Sequence, residues 1–152
     1  MKSLIVYYSK FGNTHQVANA ITSSLEGNGD LRMITFDQLT SKDFDHLDLL
    51  VMGCPTHNMN LPKKVKPILD RFSRGSLAGA RVAVFDTSYK MSWLLNQFTA
   101  SKRLGKISRK LGGKLLIQPE IFLVTGREGP LFDGEITRAR DWGAGIAQKA
   151  ST

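Results

Sequence analysis

The sequence predicts an α/β fold, a three-layer sandwich in which one parallel sheet of five strands, in the order 2-1-3-4-5, carries helices on both faces. Three observations point there. Short runs rich in β-branched and aromatic residues recur through the 152 residues, segments of helical period separate them, and no apolar run approaches the roughly 20 residues that span a bilayer. Strands alternating with helices pair in parallel, because each helix carries the chain back across the sheet. Right-handed crossovers place helices on one face while the strand order runs one way, and on the other face once it reverses. Five strands with one reversal give this order, with a crevice where strands one and three part.

Residues 3–8 (SLIVYY), 31–36 (LRMITF), 49–52 (LLVM) and 81–85 (RVAVF) read as the first four strands, apolar enough to be covered on both faces. The fifth lies within residues 114–124 (KLLIQPEIFLV), where Pro119 should interrupt it, since proline cannot donate to a ladder. Helical spacing puts Val17, Ala18, Ile21 and Leu25 on a first helix and Val65, Ile68, Leu69 and Phe72 on a second. A third carries Leu94, Phe98, Leu104, Ile107 and Leu111, and a fourth Ile136, Ala139, Gly143 and Ile146. Pro62 suits the first turn of the second helix, and Gly112 and Gly113 stop the third. Ligands of such sheets bind beyond the carboxyl ends of the strands, so the loops at 9–14, 53–61, 86–92 and 125–133 are the ones to read for function.

With 41% hydrophobic and 22% charged residues, residues 1–152 are expected to form a single domain with a real core. The one cysteine, Cys54, leaves no internal disulfide and reads as a small buried hydrophobe. The start MKSLIVYYSK has an apolar stretch too short for a secretory signal, so a cytoplasmic location is expected. A net charge of +8 favours acidic partners. Nucleic acid is not expected, because the chain has no Cys/His finger, no RNA-binding aromatic signature and no long basic tail. His15, His46 and His57 lack metal-binding spacing, and no GxSxG elbow marks a hydrolase. Lys63, Lys64, Lys66, Arg71 and Arg74 follow one helix, and Lys102, Arg103, Lys106, Arg109 and Lys110 the next. Both helices should lie on one face, as a cationic flank for a partner or as a solvated surface.

The first loop reads SKFGNT. Its glycine allows close backbone approach, while Ser9, Asn13 and Thr14 bring short polar side chains to the point where free helix N–H groups face outward. Such a loop can cradle a phosphate on the positive helix end, or can simply cap the helix through Asn13 or Thr14. GxxxxGK[ST] and GxGxxG are both missing, so the loop is neither a P-loop nor a dinucleotide turn. The first strand also lacks the acidic pair of a phospho-receiver.

The loop resembles the phosphate loop of the flavodoxin family, roughly [ST]-x-[ST]-G-x-T. Ser9, Gly12, Asn13 and Thr14 match, whereas Phe11 stands where a second hydroxyl residue is common. The resemblance continues through residues 53–72 (GCPTHNMNLPKKVKPILDRF), 85–93 (FDTSYKMSW) and 126–143 (GREGPLFDGEITRARDWG), four segments in the family's order. It implies a flavodoxin-like fold with FMN as cofactor. The phosphate would lie on Ser9, Lys10, Phe11, Gly12, Asn13 and Thr14, and the ring between Pro55, Thr56, His57 and Asn58 on one side and Thr87, Ser88 and Tyr89 on the other. Tyr89 and Trp93 are the aromatic residues that could stack on the ring, Tyr89 the better placed, and His57 either faces the flavin edge or is a solvated loop residue.

The family's well-known carriers are acidic, so this basic chain is expected to meet other partners: NAD(P)H or an acidic redox protein. One class of function is an FMN-binding redox protein, either a one-electron carrier or a reductase passing hydride from a nicotinamide to a quinone-like acceptor. The other class is a binding or scaffold protein that keeps the fold without flavin. The second loop (PTHNMNLP) has no glycine, although Asn58 or Asn60 tolerates positive φ, and cationic surroundings ease the second electron. Both features lean towards two-electron chemistry.

Overall fold

The computed structural model describes residues 1–90, 92 and 94–152. Its elements follow in the order β1 (Lys2–Tyr7), α1 (Asn13–Leu25), β2 (Asp30–Thr35), β3 (Leu49–Pro55), α2 (Val65–Leu69), β4 (Arg81–Ser88), α3 (Ala100–Lys110), β5 (Lys114–Leu115), β6 (Glu120–Leu123) and α4 (Glu135–Ala150). The sheet order is β2-β1-β3-β4-β5, with β6 also on β4, and every ladder is parallel. The expected fifth strand is therefore present in two pieces, separated around Pro119 as its missing N–H requires.

Two apolar layers flank the sheet. On one face Leu4, Val6, Leu50, Met52, Val82 and Val84 pack beneath Val65 and Leu69 of α2 and Leu104 of α3. On the other, Ile5, Leu49, Val51, Ala83 and Phe85 meet Val17 and Ile21 of α1 and Ala139, Trp142 and Ile146 of α4. Alternate strand residues thus feed opposite layers. The two basic helices share a face, as the crossover argument requires. Phe85, Phe122 and Trp142 form an edge-to-face cluster with centroids 5.9 to 6.1 Å apart.

The third helix differs from the expectation. Residues 95–98 form a single 3-10 turn, Thr99 is extended (φ −68°, ψ 160°), and α3 begins only at Ala100. Leu94 and Phe98, expected on the buried stripe, are exposed. The break has a tertiary cause: the first amides of α3 donate to partners just past β3 and on β4, Ala100 N–H to Thr56 Oγ1 (2.9 Å) and Ser101 N–H to the buried Asp86 carboxylate (2.9 Å). At its far end Gly112 (φ +95°) and Gly113 return N–H bonds to Arg109 and Ser108, the expected glycine stop. The second helix is also shorter than its periodicity, and Phe72 packs on Phe44 from beyond it (4.9 Å between centroids).

Both central strands run further than their apolar runs. β3 continues through Pro55 and β4 through Ser88, paired Cys54 with Asp86 and Pro55 with Thr87. Gly53 makes this approach possible, because a Cβ there would lie 2.0 Å from Cζ of Phe85. Gly53→Ala should therefore cost about 1–3 kcal/mol by overpacking. A urea midpoint that falls with an unchanged slope would show it; an unchanged midpoint would mean that the Phe85 ring has room to move.

Candidate functional site

At the carboxyl edge, where β1 and β3 part, lies a cavity of 730 Å³. Of the residues singled out in the sequence, Ser9, Lys10, Phe11, Asn13, Thr14, Pro55, Thr56, His57, Asn58, Thr87, Ser88 and Tyr89 line it. Gly12 does not, but its φ of +95° turns the chain into α1. That left-handed turn, not close packing, is why glycine is needed there, since a Cβ would meet nothing within 4 Å. Trp93 lies outside the described residues.

Neither Asn13 nor Thr14 caps α1; Gly12 holds the cap position with no side-chain bond to the helix. Ser9 Oγ instead reaches forward to accept the N–H groups of Gly12 (3.0 Å) and His15 (3.3 Å). Among the described residues no acceptor meets the N–H groups of Asn13 and Thr14. Those two amides at a helix start are ready donors for an anion. The side chains have other duties. Asn13 Nδ2 donates to the Glu128 carbonyl (3.1 Å), tying α1 to the last loop, and Thr14 Oγ1 pairs with Thr87 Oγ1 at 2.8 Å in a buried contact between α1 and β4.

The second loop turns tightly. His57 and Asn60 exchange both backbone hydrogen bonds (2.9 Å each), and the residues between them, Asn58 (φ 48°) and Met59 (φ 61°), are left-handed as a two-residue hairpin of this hand requires. Asn58 suits that turn; Met59 does not, and Arg103 of α3 holds its carbonyl through Nε (3.3 Å) and a terminal nitrogen (3.1 Å). At the third loop, Thr87 and Ser88 belong to β4 itself. Ser88 Oγ donates to Asp86 (2.9 Å), so its hydroxyl serves the carboxylate beneath the site. Burial pushes the Asp86 carboxyl above the usual carboxylate range, against hydrogen bonds from Ser101, Ser88 and Thr99. Cys54 is fully buried, and burial, then the charge of Asp86, push its thiol well up, as suits a small hydrophobe.

The sequence did not single out Tyr8, Asn60, Leu61, Pro62, Lys63, Lys64, Val124 and Arg127 as site residues, yet they complete the lining. Tyr8 meets the His57 ring edge-on (6.4 Å, 84°). Only the fold brings Arg127, from the last loop, to the same cavity as Lys63 and Lys64. The charged lining residues are Lys10, Lys63, Lys64 and Arg127, all cations. Their field is felt at His57, whose pKa is lowered first by burial and then by Lys10 and Arg127.

Comparison with known proteins agrees with this geometry. The family profile for flavodoxins matches residues 5–142. A flavodoxin from Synechocystis is 27% identical over 111 residues, which are 72% of this chain and 65% of that protein, so the match spans about two thirds of that relative's length. Among solved structures, oxidised flavodoxin 2 from Bacillus cereus superposes with a TM-score of 0.82 (20% identity, 98% and 99% of the two chains covered). A flavodoxin from the domain Archaea superposes with a TM-score of 0.79 (21% identity, both chains covered in full). The chain belongs to the flavodoxin family, whose members bind FMN.

Two outcomes test the site's local physics. Thr14→Val leaves the buried Thr87 hydroxyl without its partner and should lower stability by about 1–3 kcal/mol, while Thr14→Ser keeps the bond and should lower it less. Chemical denaturation of both variants checks this. His57, a base held low, contributes stability above its ordinary value of about 6.5 and loses it as pH falls. Inorganic phosphate among Lys10 and Arg127 offsets their charge without a ring that would bury His57 further, so adding it should raise the His57 midpoint in an NMR titration; an unmoved midpoint would place the anion elsewhere.

Proposed function

We propose that the chain carries FMN in this cavity and works as a flavin redox protein. The observation that carries the reading is the pairing of two unengaged amides at the start of α1 with a cavity whose charged lining residues are all cations. The cofactor's phosphate fits the Ser9 to Thr14 loop, where the amides of Asn13 and Thr14 donate and the helix end favours negative charge. The volume also suits a ligand of this size. The His57 hairpin and Tyr89, which supplies a flat exposed face, would hold the ring between them. Once bound, the flavin accepts electrons singly or as a hydride pair.

This chain's residues then set the balance between the two steps. Lys10, Lys63, Lys64 and Arg127 raise the positive potential around the ring, which favours the fully reduced, anionic cofactor and eases the second electron. The Met59 carbonyl, held by Arg103, opposes rearrangement of the second loop between redox states. Both effects support a two-electron oxidoreductase that takes hydride from NAD(P)H and passes it to a quinone-like acceptor, in preference to a single-electron carrier. No described helix is long and apolar enough to cross a membrane.

Fluorescence titration tests the cofactor: FMN should bind at least about tenfold tighter than riboflavin, a ratio worth about 1.4 kcal/mol for the phosphate contacts. Equal affinities would remove the phosphate from the first loop. Spectroelectrochemistry of the loaded protein tests the balance. The two reduction steps should fall close together, with little long-wavelength absorbance at half reduction, and a large band there would return the protein to single-electron transfer.

A further inference from the structure

We propose that the face of the molecule formed by α2 and α3 is an adsorption surface for an anionic lipid bilayer. Residues 62–80 and 99–113, which hold these helices, carry 10 of the chain's 21 Lys and Arg but one of its 13 Asp and Glu. They are net +9 and the remaining residues net −1, so the positive excess of the whole chain belongs to two segments. Both pack on the same side of the sheet. They also run side by side: Arg103, near the start of α3, holds the Met59 carbonyl ahead of α2 (3.1 Å), and beyond α2 the Leu77 N–H donates to the carbonyl of Leu111, just past α3 (2.9 Å). Lys64, Lys66, Arg74, Lys106, Arg109 and Lys110 are exposed, and Lys66 with Asp70 (2.8 Å) is the one ion pair on this face among the described residues. Like charges gathered in this way repel one another, and a facing anionic surface offsets that repulsion.

The occupant follows from what the face is made of. Its apolar side chains serve the core: Val65, Leu69 and Leu104 are buried, and Ile68, Phe72 and Ile107 pack against the same cluster. A specific protein partner needs an apolar centre inside its polar rim, and this face offers none. Single-stranded nucleic acid needs exposed rings to stack on, whereas the aromatic residue of these segments, Phe72, is engaged with Phe44. Duplex DNA takes a projecting helix into its major groove, and α3 instead lies against its neighbouring segment. A second copy of this chain would bring two faces of +9 together. Anionic headgroups, by contrast, form a broad array of charge that attracts clustered Lys and Arg with no apolar insertion. Lys63 and Lys64 also line the cavity, so adsorption brings the cavity to the edge of the headgroup layer. The surface does not depend on a cofactor, and the apoprotein reads it separately from the flavin site.

The experiment is cosedimentation of the apoprotein with phosphatidylcholine vesicles that contain about one third phosphatidylglycerol. The protein should bind them at low salt, be released at about 0.5 M salt as screening shortens, and leave pure phosphatidylcholine vesicles unbound. K106Q/K110Q should weaken binding about tenfold or more, since each basic residue close to an anionic surface contributes to the attraction. R140Q/K149Q removes the same charge from exposed positions of α4, across the sheet, and should change binding little. No binding to the anionic vesicles at low salt overturns the proposal. Equal weakening by the two variants also overturns it, because net charge alone would then explain adsorption. Binding to duplex DNA or to polyglutamate, with none to the vesicles, overturns it as well and gives the face to a nucleic acid or an acidic protein.

Discussion

The last three residues of β4 hold the carboxyl edge of the sheet together. Asp86 accepts the Ser101 amide and so fixes the start of α3, Thr87 bonds through its hydroxyl to Thr14 of α1, and its carbonyl accepts the Thr56 amide of the second loop. The Ser88 carbonyl takes the Val124 amide that leads into the last loop. All four loops of the cavity are referred to one strand. Because Asp86 is fully buried, these bonds form in a region of low dielectric where each is strong and each loss leaves a polar group stranded. A cavity built this way is largely formed before any ligand arrives, which reduces the ordering cost of binding.

Electrostatics separates the layers of the site. The Asp86 carboxyl is buried, while the charged residues described along the cavity lining are cations. Anionic ligands therefore meet an attractive field without a competing acid. Burial, and after it the same field, lowers the His57 pKa, which favours the neutral ring and leaves it able both to accept and to donate a hydrogen bond. Fold alone would leave the chemistry open, since many activities share this architecture. The charge of the lining narrows it.

Much of the architecture was legible because it is written in local pattern. Covered strands must be apolar, so the four early runs stood out; Pro119 had to split the fifth strand and Gly112 had to end α3, each for a reason contained in the residue itself. The loop SKFGNT was recognisable from its glycine and short polar residues, although Gly12 serves a left-handed turn into α1 and not the close backbone approach expected of it. Twelve of the residues chosen for the site line the cavity because they neighbour the strand ends in sequence. Arg127 and Tyr8 gave no such signal. Arg127 sits in the last of the four loops read for function and Tyr8 at the end of an apolar strand, but neither residue by itself shows which cavity groups it will join.

The sequence by itself determined the order of elements, the reversal at the first strand and the positive charge, since crossover handedness and side-chain period act within short stretches of chain. Only the tertiary structure decided where elements end and what each polar side chain serves. β3 and β4 extend into presumed loops because they pair with each other, and the helical pattern through Leu94 and Phe98 yields at Thr99 because Asp86 and Thr56 are better partners for the amides of α3. Asn13, Thr14 and Ser88 look in sequence like free ligands for a phosphate or a ring, yet their side chains bond to Glu128, Thr87 and Asp86. The reason is common to all of them: a buried donor or acceptor must be satisfied, and residues distant in sequence come within reach only when the sheet has formed.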